Sequence, residues 1–247
     1  VLFRSNYNIG LLKTVIFSSK KYFNFFYWLE NFDKKDIFEN KFIKKFIFES
    51  NHTEWSKIKE EEVFKIIENK KTNHRNKNEI QEVKNSIQAF EFLNSKFIFN
   101  SENIKKIYHI LTKSLLQNNW DFYPKWFKKV KNTVNNDETS LPENVENDIQ
   151  HLIFWYKENK KKLFPIELAF IFHLKFQKIH PFIDWNWRVW RFLLNKILIS
   201  NWYFPVITFS ENKITFFNSI KNWLKNEKKY HKIIIEQYFK TMTYFWI

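Results

Sequence analysis

Twelve consecutive residues concentrate the polar chemistry of this chain: His180-Pro181-Phe182-Ile183-Asp184-Trp185-Asn186-Trp187-Arg188-Val189-Trp190-Arg191. An imidazole can exchange a proton near neutral pH. A single carboxylate suits a hard divalent cation that keeps its own waters. Two guanidiniums three residues apart lie on one face of a helix, and each is a planar fork that grips phosphate bidentately. Arginine is otherwise scarce, the only others being Arg4 and Arg75. A base, a metal-type carboxylate and two phosphate forks in one short loop point to a nucleotide polyphosphate site.

The flanking sequence must hold this loop. Ile166 to Ile179 is mostly apolar with helical spacing, and Pro165 suits its first turn. Val189 to Ile199 is a second apolar helical run. The loop therefore joins two buried helices and feeds the N-terminus of the second. Such a terminus offers free N–H groups and a positive dipole end to an anion. Trp185, Trp187 and Trp190 conflict with this reading, because a phosphate cradle wants glycine, whose backbone can approach the ligand closely and adopt positive φ.

With glycine at those three positions the stretch reads H-P-F-I-D-G-N-G-R-V-G-R. That resembles the signature of the Fic family, H-x-F-x-D-G-N-G-R-x-x-R. His180, Phe182, Asp184, Asn186, Arg188 and Arg191 match its other fixed positions. Composition offers one cause for the mismatch: the chain has 1 Gly and 11 Trp, whereas ordinary usage of about 7% predicts roughly 17 glycines. Many of these tryptophans are expected to be glycine in the protein as its source makes it, from a UGA codon read there as glycine. The alternative is a decayed copy with genuine tryptophans. Trp155 is excepted, because Phe154-Trp155-Tyr156 reads as ordinary aromatic core.

The resemblance extends from roughly Lys34 to Phe239. It implies an all-α fold, a Fic helical bundle with a small β-hairpin flap. It also implies a protein adenylyltransferase that moves AMP from ATP to a Ser, Thr or Tyr hydroxyl of a target protein or of the chain itself. His180 would be the general base, near its ordinary pKa of about 6.5. Asp184 would hold Mg²⁺. Asn186 and the backbone N–H groups of Trp185 and Trp187 would face the α-phosphate. Arg188 would take the β-phosphate and Arg191 the γ-phosphate, with Val189 and Trp190 completing the nucleotide-binding turn. Phe182 would anchor the loop, and Phe216 or Phe217 would wall the adenine.

Two further segments resemble family features. Ser50-Asn51-His52-Thr53-Glu54-Trp55 fits the inhibitory pattern S/T-x-x-x-E-G/N if Trp55 is glycine. Ser50 opens that pattern, and Glu54 would pair with Arg191 and block the γ-phosphate. Trp126-Phe127-Lys128 resembles the flap's G-x-F/Y-R start, with lysine in the arginine position. Phe127, Lys128, Asn132 and Thr133 would then position the target, and Leu141-Pro142-Glu143 would leave the flap.

Composition bounds the rest. At 44% hydrophobic and 21% aromatic, 247 residues can build a full core. The expected division is a helical arm over 1–33, N-terminal helices with the inhibitory segment over 34–100, and the core with flap and loop over 101–247. The chain begins at Val1 without an initiator Met and is read as truncated. With 0 Cys there is no disulfide, thiolate metal site or Cys nucleophile. No apolar run reaches the roughly 18 residues of a membrane span, so a cytoplasmic protein without a membrane partner is expected. The net charge of +15 comes from scattered lysines. They accompany abundant Asn, Ile and Phe, as AT-rich coding produces, and are not read as a nucleic-acid footprint. Homo-oligomerisation is left open.

Other chemistries fit less well. His180 and Asp184 lack a third ligand for zinc. His173 reads as a buried support for the loop. Ser50, Ser200 and Ser210 have no His–Asp arrangement nearby. Two alternatives to adenylyl transfer stand: a different donor such as a UMP or phosphocholine compound, or a helical binding module that does no chemistry if the tryptophans are genuine.

Helical periodicity also marks Ile9–Phe32, Lys34–Phe48, Glu60–Glu68, Glu79–Leu93, Ile104–Leu116 capped by Ser101, Val145–Lys157, Asn212–Leu224 and Lys228–Phe239. Ser50 to Trp55 reads as a polar break, and a short β-like stretch is expected near Phe127 to Val134.

Overall fold

The computed structural model describes residues 35–95, 97–116, 123–134, 137–215, 218 and 227–246. Its helices are α1 (Lys35–Thr53), α2 (Glu60–Ile67), α3 (Lys77–Ser95), α4 (Ser101–Thr112), α5 (Val145–Asn159), α6 (Pro165–Ile179), α7 (Asn186–Ile199) and α8 (Glu227–Trp246). Between α4 and α5 lies the only sheet among the described residues, β1 (Thr133–Val134) antiparallel to β2 (Asp137–Glu138). The all-α reading with a small flap holds. The expected arm over 1–33 and the adenine wall at Phe216 or Phe217 lie outside the described residues.

The pair α6–α7 forms the centre of the fold. Helix α7 is buried nearly all round, from Arg188 to Asn195 and at Ile197 and Leu198. On one side Phe46 meets Phe192 edge-on at 5.0 Å, beside Phe42 and Phe90. On the other, Phe172 meets Phe99 at 5.5 Å and Tyr156 at 5.9 Å. Ile104, Ile107, Tyr108 and Leu111 form one fully buried stripe of α4. Residues on both sides of position 100 share this one core.

An irregular stretch after α7 is also buried. Its backbone groups are satisfied by side chains, as burial requires. Asn195 Oδ1 accepts from Val206 N at 2.7 Å, Thr241 Oγ1 from Ile207 N at 2.9 Å and Gln237 Oε1 from Phe209 N at 3.1 Å.

Several local expectations are corrected. Ser50 to Thr53 continues α1 rather than breaking it. The N-cap of α4 is Asn100, whose side chain accepts from Asn103 N at 2.7 Å, and Ser101 instead donates to Glu146. Phe154 is exposed, so one member of the Phe154-Trp155-Tyr156 run assigned to the core is on the surface.

Two helix ends bear on the missing glycines. Trp55 N donates to His52 O and Ser56 N to Asn51 O. Trp202 N donates to Ile199 O and Tyr203 N to Leu198 O. Both are Schellman closures, whose turning residue is left-handed and usually glycine. Trp55 has φ 70° and Trp202 φ 61°, and both indoles are more than half exposed. Left-handed backbone costs a residue with a Cβ about 1–2 kcal/mol. An indole so exposed offsets little of that through packing. Trp202→Gly is therefore expected to stabilise the fold by about 1 kcal/mol, raising Tm by roughly 2–4 °C for a chain of this size. Thermal unfolding of the two chains checks this, and an unchanged or lower Tm contradicts it.

Candidate active site

Helix α6 ends at His180 because the backbone there turns left-handed, with φ 48° and ψ 62°, and its N–H still closes on Phe176 O at 2.9 Å. Pro181 follows and stops the helix. The loop to Asn186 is locked by one side chain. Asn186 Oδ1 accepts from Phe182 N at 2.9 Å while its Nδ2 donates to Phe182 O at 2.8 Å. Phe182 stacks on Tyr108 at 3.9 Å, as the anchoring role requires. Asn186 is thus a staple of the loop, and one of its two Nδ2 hydrogens is committed to Phe182 O.

Trp185 is the N-cap of α7, with φ 67°, and its carbonyl accepts from Val189 N at 3.0 Å. The expected need for positive φ holds at 185 only. Trp187 and Trp190 lie inside the first turns of α7, and Trp190 rests against His173 at 3.6 Å with Trp187 5.9 Å from the same ring. At those two positions glycine would give close approach rather than backbone freedom. The Trp185 indole is 4% exposed and lies flat under Arg188, whose guanidinium carbon is 3.8 Å from the ring centre.

Asp184 is exposed at the loop tip. Its Oδ1 accepts from Trp185 N at 2.6 Å and its Oδ2 from the Tyr123 hydroxyl at 3.2 Å. No group of three His, Cys, Asp or Glu residues that could hold a metal ion occurs among the described residues. One exposed carboxylate suits a Mg²⁺ ion that takes its other ligands from water and phosphate, and does not suit a protein-caged metal.

The two arginines are held differently. Arg191 is almost wholly buried; Nη1 donates to Ser50 O at 3.1 Å and Ser50 Oγ at 3.2 Å, and Nη2 donates to the Glu54 carboxylate. Burial pushes its pKa down, and Glu54 opposes that. Arg188 has a looser partner, Glu82 Oε2 at 3.5 Å, and its Nε is buried without a hydrogen bond. Burial pushes Glu82 up, against the pull of Arg188.

His180 is 9% exposed, and its Nδ1 has no hydrogen-bond partner. Burial, and then the charge of Lys128, push its pKa down to about 3. The expectation of an ordinary imidazole is corrected: the ring is neutral across the physiological range.

The flap residues sit against the loop. Phe127 packs on Phe182 at 5.3 Å, Lys128 and Asn132 bond to backbone carbonyls flanking His180, and Thr133 is exposed in β1. The strands are later and shorter than expected. Glu82 and Tyr123 were not legible in the sequence, because each reaches the loop only through helix packing or a loop crossing. The placement of Glu82 on a helix face with buried Val83 and Ser86 gave no hint of an arginine partner.

Comparison with known proteins agrees with this geometry. The Fic/DOC family matches residues 98–198. A chain from Aquifex aeolicus described as "Probable protein adenylyltransferase" is 35% identical over 91 residues, 35% of this chain and 28% of that protein. Protein adenylyltransferase fic-1 of Caenorhabditis elegans is 35% identical over 80 residues, 32% of this chain and 16% of that one. The chain therefore spans less than a third of the length of either relative. A Fic domain containing signaling protein from Bacteroides thetaiotaomicron superposes with a TM-score of 0.75, at 20% identity over 85% of this chain and 88% of that one. A Fic family protein from Desulfovibrio desulfuricans G20 superposes with a TM-score of 0.78, at 16% identity over 94% and 74%. At those identities the two structures establish a shared fold.

Proposed function

The chain carries a Fic/DOC domain, and on that premise we propose that it transfers AMP from ATP to a hydroxyl side chain of a protein. One observation supports this best: two buried guanidiniums on the first turns of α7 sit on the same loop as a neutral imidazole and an exposed carboxylate. Such a set can grip a polyphosphate, accept a hydroxyl proton and carry one hard cation.

Arg188 would take the β-phosphate, its unpaired Nε supplying a free donor. Arg191 would take the γ-phosphate once Glu54 gives way. The first N–H groups of α7 would face the α-phosphate and steady its added charge in the pentacovalent state. His180 would receive the hydroxyl proton as the oxygen attacks. An anionic polyphosphate beside the ring raises its pKa from the resting value, so basicity appears when the substrate is in place. Mg²⁺ at Asp184 would neutralise phosphate charge. Glu54 on Arg191 would act as a brake. A cytosolic setting is part of this reading, and no helix among the described residues is long and apolar enough to cross a membrane.

The Trp185 indole occupies the space under Arg188 that a phosphate would need. The chain as given is therefore expected to bind ATP poorly, and the variant carrying Trp185→Gly, Trp187→Gly and Trp190→Gly to bind it at least about ten-fold more tightly, one charge-assisted bond being worth about 1.5–3 kcal/mol. Calorimetry with ATP compares them, and micromolar affinity in the unaltered chain overturns the argument. The same variant incubated with labelled ATP, UTP or CDP-choline tests the reaction. Label from ATP alone on protein supports adenylyl transfer, and label from either of the others assigns a different donor.

A further inference from the structure

Lys128 is 3% exposed, yet no carboxylate bonds to it among the described residues. Its ammonium has three acceptors: Asn132 Oδ1 at 2.5 Å, Thr139 Oγ1 at 2.6 Å and Ile179 O at 3.3 Å. That is the full donor capacity of the group. Its own backbone N–H donates to Pro181 O at 2.8 Å, and Asn132 Nδ2 donates to Phe182 O at 3.0 Å. Ser140 N adds a bond to Lys178 O at 3.3 Å. The flap therefore grips the chain at 178, 179, 181 and 182, on both sides of His180.

A grip at those points has a physical use. His180 stands in left-handed backbone, which costs a non-glycine residue about 1–2 kcal/mol and persists only where its surroundings over-determine it. The carbonyls of Ile179 and Pro181 flank that residue and are fixed from the flap.

We propose that Lys128 is a positioning residue: its ammonium ties the Ile179 carbonyl beside His180 to Asn132 and Thr139 of the flap, and its charge opposes a second positive charge on the imidazole. The residue then acts through His180 rather than on the target protein, which is the part the sequence had suggested for it. The claim rests on the adenylyl-transfer reading only for its consequence, since the clamp itself is independent of any substrate. The charged groups involved are few. Lys128 is the charge that bears on His180, and Asp148 of α5 is the charge that bears on Lys128. Burial pulls the Lys128 pKa down to about 8, with Asp148 opposing.

The test reads His180 directly and needs no nucleotide. Histidine-labelled chain is titrated by NMR, with the His180 signal assigned by its loss in His180→Ala. In Lys128→Met the His180 midpoint should rise by roughly one pH unit or more, because the opposing charge and the ammonium's bond to Ile179 O are gone while the backbone bond to Pro181 O stays. In Lys128→Arg, which keeps the charge, it should stay at the parent value. An unmoved midpoint in Lys128→Met overturns the proposal. If Lys128→Met does not fold, the parent alone decides. Its His180 signal should bend near pH 8 as Lys128 loses its proton, and a flat signal there overturns the proposal. If Lys128→Met moves the midpoint but the chain with glycine at 185, 187 and 190 never transfers AMP, the adenylyl-transfer reading falls and the clamp stands.

Discussion

His180→Ala, in the chain with glycine at 185, 187 and 190, should lower AMP transfer about 10²–10⁴-fold and leave ATP affinity nearly unchanged. The motive is positional. The imidazole sits at the end of α6, outside the first turns of α7 where the guanidiniums lie. On the proposed function it would receive the proton of the incoming hydroxyl, while the guanidiniums would hold the phosphates. Because burial holds the resting pKa near 3, the acid limb of kcat/KM, which reports the free enzyme, should fall well below the ordinary imidazole range, while that of kcat should lie higher. The sign of the stability linkage follows from the same shift. The folded pKa lies below the unfolded value of about 6.5, so the unfolded chain binds the extra proton between them. The associated stability is complete above about pH 6.5 and is lost as pH falls toward 3. His180→Ala should accordingly lose less stability than the parent between pH 7 and pH 4. Transfer within a few-fold of the parent would remove His180 from the role of base, and equal acid sensitivity of the two chains would contradict its lowered pKa.

Much of this site could be read from spacing alone. The apolar runs on either side of His180 to Arg191 place that segment between α6 and α7, and Pro165 marks the start of α6 because its missing N–H costs nothing there. Arg188 and Arg191 were separable from a basic composition because arginine is rare while lysine is abundant. The capping of α4 was ambiguous by nature: Asn100 and Ser101 are both capping types, and only the backbone geometry, extended at Asn100, chooses between them.

Other features have no local signal. Glu82 meets Arg188 because α3 crosses α7, and a carboxylate more than a hundred positions away carries no spacing to read. The ring of His180 looks like any histidine in sequence, since its low pKa comes from burial by distant elements. The hairpin strands are two residues each, and the flap side chains of Lys128, Asn132 and Thr139 bond to one another and, through Lys128 and Asn132, to the backbone at Ile179 and Phe182. The tryptophans were legible as misplaced glycines at 55 and 185 by motif alone. The left-handed backbone at both, and at Trp202 where no motif had pointed, supports the same reading from geometry.

Glu54→Gly should raise self-directed AMP transfer roughly ten- to hundred-fold in the glycine-bearing chain, the equivalent of about 1.5–3 kcal/mol for one charge-assisted bond at 1.36 kcal/mol per decade. Glu54 stands just past the end of α1, and its carboxylate takes the Nη2 group of Arg191. On the proposed function the γ-phosphate would then lack its guanidinium and the α-phosphate would not be brought into line for attack. The substitution frees Nη2 but leaves Nη1 on Ser50 O and Oγ, so the arginine stays in place and gains only an open donor edge. Ser50→Ala should for that reason have a smaller effect than Glu54→Gly. Arg191→Ala should not activate at all, since it removes the anchor of the brake together with the ligand of the γ-phosphate. Label transfer from α-³²P ATP, measured side by side for the parent and the three variants, distinguishes these outcomes. Equal rates for Glu54→Gly and its parent would show that the Glu54–Arg191 pair is a structural contact of α1 with α7 and that nucleotide reaches Arg191 without displacing it.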